Sequence, residues 1–230
     1  MSDTYFIGYD AREHEAAAVC AYSILRRVSR RSRVYMLEHR ALRRLGLFWR
    51  EWEIAPTGQF YDKLDTKPFS TEFSHSRFLV FHLARELGCT GPCAFLDCDF
   101  LFLSDPSALM KVQGRSTSPL IHTVMRDRNV KDGVKMDGMQ QIAYERKLWS
   151  AFFTFRPDDK LADHFTPDYV NRSTGRTLHK FEGLPDATFG AMSSSWHYIP
   201  SLDPVQATPK AIHYSEWSPW INPDKVTDYP

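Results

Sequence analysis

Near the middle of this 230-residue chain the run CAFLDCDFLFL (residues 93–103) is apolar except for two carboxylates, Asp97 and Asp99. On a strand, side chains two residues apart point to the same face. A strand here would therefore project both carboxylates together from an apolar surface. Burying two adjacent anions without compensation is costly. A divalent cation removes that cost, and hard oxygen ligands suit Mn²⁺ or Mg²⁺. In open α/β sheets, ligands bind beyond the carboxyl ends of strands, where this pair would lie. The alternative, a solvated acidic turn, fits poorly with Phe95, Leu96, Phe100, Leu101 and Phe102 around it.

Other chemistries find less support. Cys20, Cys89, Cys93 and Cys98 include no CxxC pair and no histidines at matching spacing, so a zinc site fits poorly and reduced structural thiols are expected. Asp127, Asn129, Asp132 and Asp137 lie in a polar, glycine-bearing segment (residues 126–138) but miss the EF-hand spacing, which excludes that calcium loop. Basic and acidic residues nearly balance, 29 against 28, for a net charge of +1. So neutral a chain is not a dedicated nucleic-acid binder. Arg26, Arg27, Arg30, Arg31 and Arg33 form a local basic cluster. It reads either as a solvated helix end or as a surface for peripheral contact with anionic lipid or an anionic glycan. No apolar run of about 18 residues is present, so no transmembrane helix is expected. The first residues lack a basic and apolar leader pattern, which leads to the expectation of a cytoplasmic protein.

The elements that must position Asp97 and Asp99 follow from periodicity. Residues 4–9 read as a first strand, 11–27 as an amphipathic helix and 33–38 as a second strand. Strand, helix, strand at this spacing predicts a βαβ unit and a mostly parallel sheet. Residues 41–52 are a helix or an irregular aromatic segment. Residues 70–88 read as one helix, with Ser70, Thr71 and Glu72 as capping chemistry and Gly88 as its stop. Strands are expected at 93–103, 119–125 and 149–155, and short ones at 196–200 and 210–213. Residues 158–178 read as short helices broken by Pro167 and Gly175. From residue 215 the chain is rich in Pro and Trp. The expectation is one domain over residues 1–230, with 201–230 a wrapped tail.

The aspartate run FLDCDFLFL resembles the DxD motif of nucleotide-sugar glycosyltransferases of the GT-A fold. The likeness extends to other blocks. FIGYDAREHEAAAVCAYSI resembles the first strand and helix of bacterial proteins similar to glycosyltransferase family 8. KPFSTEFSHSRFLV, YERKLWSAFFTF, TGRTLHKFEGLPD and PKAIHYSEWSPW resemble their later blocks, in order, across nearly the whole chain. The resemblance implies an α/β GT-A fold, a mostly parallel twisted central sheet flanked by helices. It implies metal-dependent transfer of a sugar from a UDP-sugar to a glycan or lipid-linked acceptor hydroxyl, with retention of anomeric configuration.

It also implies roles. Asp97, Asp99 and a C-terminal histidine, His213, would hold Mn²⁺ (or Mg²⁺) against the diphosphate; without the resemblance, His213 reads as a core histidine. Gly8, Tyr9 and Asp10 would end the first strand at the nucleotide, with Tyr9 stacking on uracil and Asp10 accepting from it, or else form an ordinary strand-end turn. Cys98 joins this nucleotide-binding set. Arg77, on an apolar helix face, needs an anionic partner, either the diphosphate or an Asp of the DxD; as a catalytic candidate it stands beside Asp186, which would lie near the donor sugar or else cap a helix. Trp149, Trp196, Trp217 and Trp220 either stack on sugars or pack the core.

One departure stands out. Family-8 enzymes carry a lysine before their closing Pro-Trp, where this chain has Ser218, Pro219 and Trp220. Lys210 and Lys225 are the candidates to replace it. A phosphatase of the haloacid-dehalogenase type also uses a DxD after an apolar strand, but near its chain start and with Thr or Val where Leu101 stands. The remaining rival is a nucleotide-sugar or glycan binding protein without turnover.

Overall fold

The computed structural model describes residues 2–115, 117, 119–126, 133–134, 140–141, 146–205 and 208–215, with the side chains at 133, 134, 140, 141 and 147 left aside. The chain opens with β1 (Asp3–Tyr9), buried along six of its seven residues. A 3-10 turn (Ala11–Glu13) and α1 (His14–Leu25) follow, and Ala16, Ala17, Cys20, Ser23 and Ile24 form the buried stripe of α1. β2 (Ser32–Glu38) returns parallel to β1, completing the expected βαβ unit. The ambiguous segment that follows resolves into α2 (His39–Arg44) and then an antiparallel meander of β3 (Trp52–Ile54), β4 (Phe60–Asp62) and β5 (Pro68–Phe69).

Residues 70–88 do not form one helix. Instead residues 70–75 form turns, followed by a 3-10 turn (Ser76–Leu79) and α3 (Val80–Glu86). The reason is tethering. Glu72 N donates to Asp10 Oδ2 at 3.1 Å and Arg12 donates to Ser70 O at 2.6 Å. Thr71 and Ser74 meet hydroxyl to hydroxyl at 2.9 Å. The capping residues thus serve a turn bound to the end of β1. Gly88, at φ +59°, takes the left-handed conformation that closes the helix.

The apolar run 93–103 splits into β6 (Cys93–Leu96) and β7 (Phe100–Phe102) in different sheets. Beyond it come α4 (Ser107–Gln113), β8 (Ile121–Thr123), the short antiparallel pair β9 (Gly133–Val134) and β10 (Gln140–Gln141), and β11 (Phe152–Phe155). Next are α5 (Asp159–His164), α6 (Pro167–Arg172) and α7 (Gly175–His179). Pro167 and Gly175 each open a helix, as N1 residues preformed or permissive for that place. β12 (Phe189–Ala191) and β13 (Ala211–His213) end the described order. Residues 196–200, expected as a strand, contribute only a single bridge from Tyr198 to Ile212, after a 3-10 turn (Ser194–Trp196).

The central sheet runs β12-β8-β11-β6-β1-β2. Three of its five pairings are parallel, and the reversed strand is β11, antiparallel to β6 and β8. The fold is therefore the expected α/β one, a mostly parallel sheet flanked by helices. Aromatic abundance is largely core filling: the largest fully buried side chains are Tyr5 and eleven phenylalanines. Phe81, Phe153 and Phe95 stack in turn across α3, β11 and β6, and Phe155 meets Phe81 edge-on.

Candidate metal centre

β6 leaves the sheet at Leu96, and Asp97 N donates to Ala151 O at 2.9 Å, extending its pairing toward β11 by one step. Asp97, Cys98 and Asp99 then form a turn, and β7 joins β13 in a separate two-stranded sheet. The carboxylates thus converge from a turn between two strands, not from one face of a continuous strand. The β7–β13 register sets His213 opposite Phe100, and Tyr214 N donates to Asp99 O at 3.0 Å. A histidine 114 positions along the chain from Asp99 is thereby brought beside it: His213 Nε2 lies 3.1 Å from Asp99 Oδ1.

One ligand atom from each of Asp97, Asp99 and His213 lies within 4.8 Å of the others, and all three residues are buried. The donor set fits a hard or borderline divalent ion. Ligand atoms about 2.1 Å from an octahedral cation lie about 3 Å apart when adjacent, which matches the Asp99–His213 separation. His213 Nε2 makes no hydrogen bond among the described residues, although it is buried. A buried nitrogen in that position, beside two carboxylates, suits a metal ligand.

The surroundings hold these groups in place. His213 stacks on Phe100, with ring centroids 4.4 Å apart at 12°. His213 Nδ1 lies 2.8 Å from His197 Nε2. His197 is fully buried, and that burial, with His213 and Arg126 nearby, keeps it well below the ordinary imidazole range and neutral. Arg126 in turn donates to His197 O and pairs with Asp203. Sequence reading missed His197; its only signal was a histidine beside an aromatic pair in SSWHYIP.

Arg77 chooses the DxD as its partner. Its Nη1 reaches Asp97 Oδ1 at 2.7 Å and Ser150 O at 2.9 Å, and its guanidinium lies over Phe73 and Phe95. Burial lowers its proton affinity, and Asp97 and Asp99 work against that. Cys98 turns the other way: its thiol donates to Glu13 Oε2 at 2.9 Å, and burial first, then Glu13, raises it well above an ordinary thiol.

At the end of β1, Gly8 is packed against Phe73 so closely that a Cβ would lie 2.4 Å from the ring. Tyr9 is partly buried and its hydroxyl meets His14 Nδ1 at 3.0 Å. Asp10 does not face outward toward a base. Its carboxylate is fully buried and accepts from Arg12 N, Nε and Nη2 and from Glu72 N, so its place is inside the turn. Asp186 opens a 3-10 turn without capping it; it is exposed and pairs with Arg146 at 2.6 Å. Arg146 lies over Trp149 and Phe189. The segment that carries Trp149 also supplies Ser150 O to Arg77 and Ala151 O to Asp97. Asp186 is therefore linked to the aspartate turn only indirectly, through Arg146 and the segment from Trp149 to Ala151.

Lys210 stands three residues before His213, at the other end of β13, and its ammonium lies over Trp196. Lys225, Trp217, Trp220, most of residues 126–138 and residues 216–230 of the expected tail lie outside the described residues. The basic cluster is divided in use. Arg30 pairs with buried Asp3, Arg33 donates to Thr4 and Cys89, and Arg27 donates to Ser23 O. Arg26 and Arg31 remain exposed. Among the described residues no helix is long and apolar enough to cross a membrane.

No family model matches the chain. Protein CDI of Arabidopsis thaliana is 34% identical over 229 residues, which cover 97% of this chain and 82% of the relative. Among solved structures, the WbbM bifunctional glycosyltransferase superposes with a TM-score of 0.57 at 13% identity, over 95% of this chain and 47% of its own, so the chain spans about half of WbbM. GlyE of Streptococcus pneumoniae gives 0.54 at 12% identity, over 96% of this chain and 57% of its own. An active-site mutant of LgtC gives 0.53 at 12% identity, over 94% and 89%. At such identities the likeness is one of fold, and the fold is the GT-A glycosyltransferase type.

Proposed function

The chain belongs to the family of Arabidopsis Protein CDI, and from its fold and its buried cluster we propose that it is a metal-dependent glycosyltransferase. In this reading a sugar passes from a UDP-linked donor to a hydroxyl of a glycan or lipid-linked acceptor, with the anomeric configuration retained as in the family-8 enzymes it resembles. A Mn²⁺ or Mg²⁺ ion held by Asp97, Asp99 and His213 supplies Lewis acidity at the departing diphosphate. The observation that carries the reading is the convergence of these three buried ligand atoms within 4.8 Å on a GT-A fold.

The chain's own residues divide the remaining work. Arg77 fixes the Asp97 carboxylate and offsets one of the two buried negative charges. His197 accepts the proton of His213 Nδ1, which leaves the Nε2 lone pair facing the aspartates. Tyr9 offers a ring to the base at the end of β1. Asp10 contributes by anchoring the turn at residues 70–75 through Arg12 and Glu72. Asp186, exposed beside Arg146, is assigned to sugar hydroxyls. The four free cysteines among the described residues suit a reducing, cytoplasmic setting for a one-domain enzyme.

A binding protein without turnover is the second reading, and the placement of Lys210 over Trp196, away from His213, favours it. The test is calorimetry of UDP binding with Mn²⁺ and with chelator, together with UDP release over a panel of UDP-sugars. Metal-dependent binding and release of UDP from one sugar establish the enzyme. Metal-dependent binding with no turnover, with or without simple glycoside acceptors, establishes the binding protein. Binding that ignores the chelator overturns the metal centre.

A further inference from the structure

Residues 16–25 of α1 carry no charge, and the helix is apolar on both sides. Its buried stripe takes Ala16, Ala17, Cys20, Ser23 and Ile24. At 3.6 residues per turn, Ala18, Val19, Tyr22 and Leu25 fall with Glu15 and Arg26 in one outward arc about 120° wide. Val19 is 50% exposed, Tyr22 63% and Leu25 54%. A surface helix ordinarily turns charged and polar residues to that side. One exposed apolar side chain needs no explanation, but three together on a helix of 12 residues call for a partner.

That face runs into the basic cluster. Arg26 ends it, and Arg31 is exposed in the connection to β2. Arg27 donates to a carbonyl, Ser23 O, and so keeps its charge. Arg30 pairs with Asp3 at 3.2 Å, and Asp105 accepts from the Ser29 amide of the same connection. Arg33 is turned inward to Thr4 and Cys89. Even with Arg33 set aside, four guanidinium groups stand against two carboxylates, a surplus of two positive charges at this end of α1. Glu15 is the acid of the outward arc, at its far end.

We propose that the outer face of α1 docks this protein on an anionic lipid surface. Val19, Tyr22 and Leu25 enter the headgroup region, and Arg26 and Arg31 meet the negative charge of the lipids. An aromatic ring with a polar tip suits that depth, and arginine stems can lie along the apolar surface with their heads in water. A second copy of the chain fits less well. An antiparallel pair of α1 helices would set Arg26 against Glu15, but three half-exposed side chains offer roughly 300 Å² per copy, against about 800 Å² in a stable interface. A bilayer sets no such minimum, because binding grows with the apolar area inserted and gains from each cation. The residues that lead into α1 touch the aspartate turn, where Cys98 donates to Glu13. A docked α1 therefore starts beside that turn, but the docking itself does not rest on sugar transfer.

The experiment sediments the full chain with vesicles of phosphatidylcholine alone or with about one-third phosphatidylglycerol. Binding is expected to the mixed vesicles, and it should weaken several-fold as salt rises from about 0.1 M to about 0.5 M. Arg26→Gln and Arg31→Gln should each weaken it by roughly fivefold. Tyr22→Ser and Leu25→Ser, checked for native circular dichroism, should weaken it at either salt concentration. Tyr22→Trp keeps the ring and should bind as the parent does, and brominated acyl chains should quench its added emission more than that of the parent's six tryptophans. Light scattering without vesicles should show a monomer. A dimer that Tyr22→Ser or Leu25→Ser dissociates would assign the face to a second copy and overturn the proposal. So would failure to bind the mixed vesicles, or binding that these substitutions leave unchanged.

Discussion

His197 Nε2 and His213 Nδ1 stand 2.8 Å apart, and a contact that short between two imidazole nitrogens holds one proton. In the tautomer in which His213 Nδ1 carries that proton toward neutral His197, Nε2 carries none and faces Asp99, 3.1 Å away. In the proposed metal centre His197 then acts as a positioning residue for His213. Outer partners of ligating histidines are worth about 10–100-fold in metal affinity. We expect His197→Phe to weaken Mn²⁺ binding by that order while His197→Gln, which retains an acceptor, loses less. Titration calorimetry with Mn²⁺ alone measures it, and equal affinity in the two variants would refute the role.

Asp99→Asn should abolish sugar turnover and leave the fold intact. The amide is nearly isosteric with the carboxylate, so packing around the turn survives. What it removes is a charged ligand next to His213. Circular dichroism should match the parent, with UDP release at background. Normal release from a folded variant would exclude Asp99 as a ligand.

How much of this was legible follows from how far each partner lies along the chain. The aspartate pair announced itself because two charges interrupt an apolar run. The break in that run did not: Phe100 and Phe102 look like strand continuation, and only pairing with β13, more than a hundred residues later, moves β7 into another sheet. His213 was reached through resemblance alone, since a histidine after Ala211 and Ile212 reads as core. His197 had no periodic or motif context. The helix expected from residue 70 failed because its capping residues found partners 58 and 62 positions upstream, in Arg12 and Asp10. Local patterns fixed α1, β1 and β2, whose contacts are close in sequence.

Arg77→Met should destabilise the metal-free protein by about 3–5 kcal/mol, the usual consequence of removing one partner of a buried ion pair. Asp97 is left facing Asp99 without its guanidinium, and both are nearly buried. Mn²⁺ should restore part of the loss, because it replaces the missing positive charge. Urea denaturation with and without Mn²⁺ reads both effects. Unchanged stability without metal would mean the pair contributes nothing.

Gly8→Ala should also destabilise, by about 1–3 kcal/mol, through overpacking. The new Cβ would meet the Phe73 ring at 2.4 Å, and that ring is itself wedged beneath Arg77 and against Phe95. A second substitution, Phe73→Leu, should recover part of the loss by making room. If Gly8→Ala melts with the parent, the close approach at the end of β1 does not constrain the turn.

Stability should fall on acidification from pH 7 toward pH 5. His75 is buried between Phe69 and the cations Arg50 and Arg77; burial first, and then those two charges, hold it well below the ordinary imidazole range. Its folded form therefore resists a proton that the unfolded chain accepts near pH 6.5. Below that pH the unfolded state binds more protons, so unfolding becomes easier as pH drops. His197 acts in the same direction. Asp3 and Asp62, both raised by burial, act in the opposite sense but only at the acidic end, above the ordinary carboxylate range. Urea midpoints at half-unit steps between pH 7.5 and 5 measure the slope. His75→Gln should flatten it, whatever it does to stability at pH 7. A midpoint that stays level or rises on acidification, or a slope unchanged in that variant, would show that His75 takes up its proton in the folded protein as readily as in the unfolded chain.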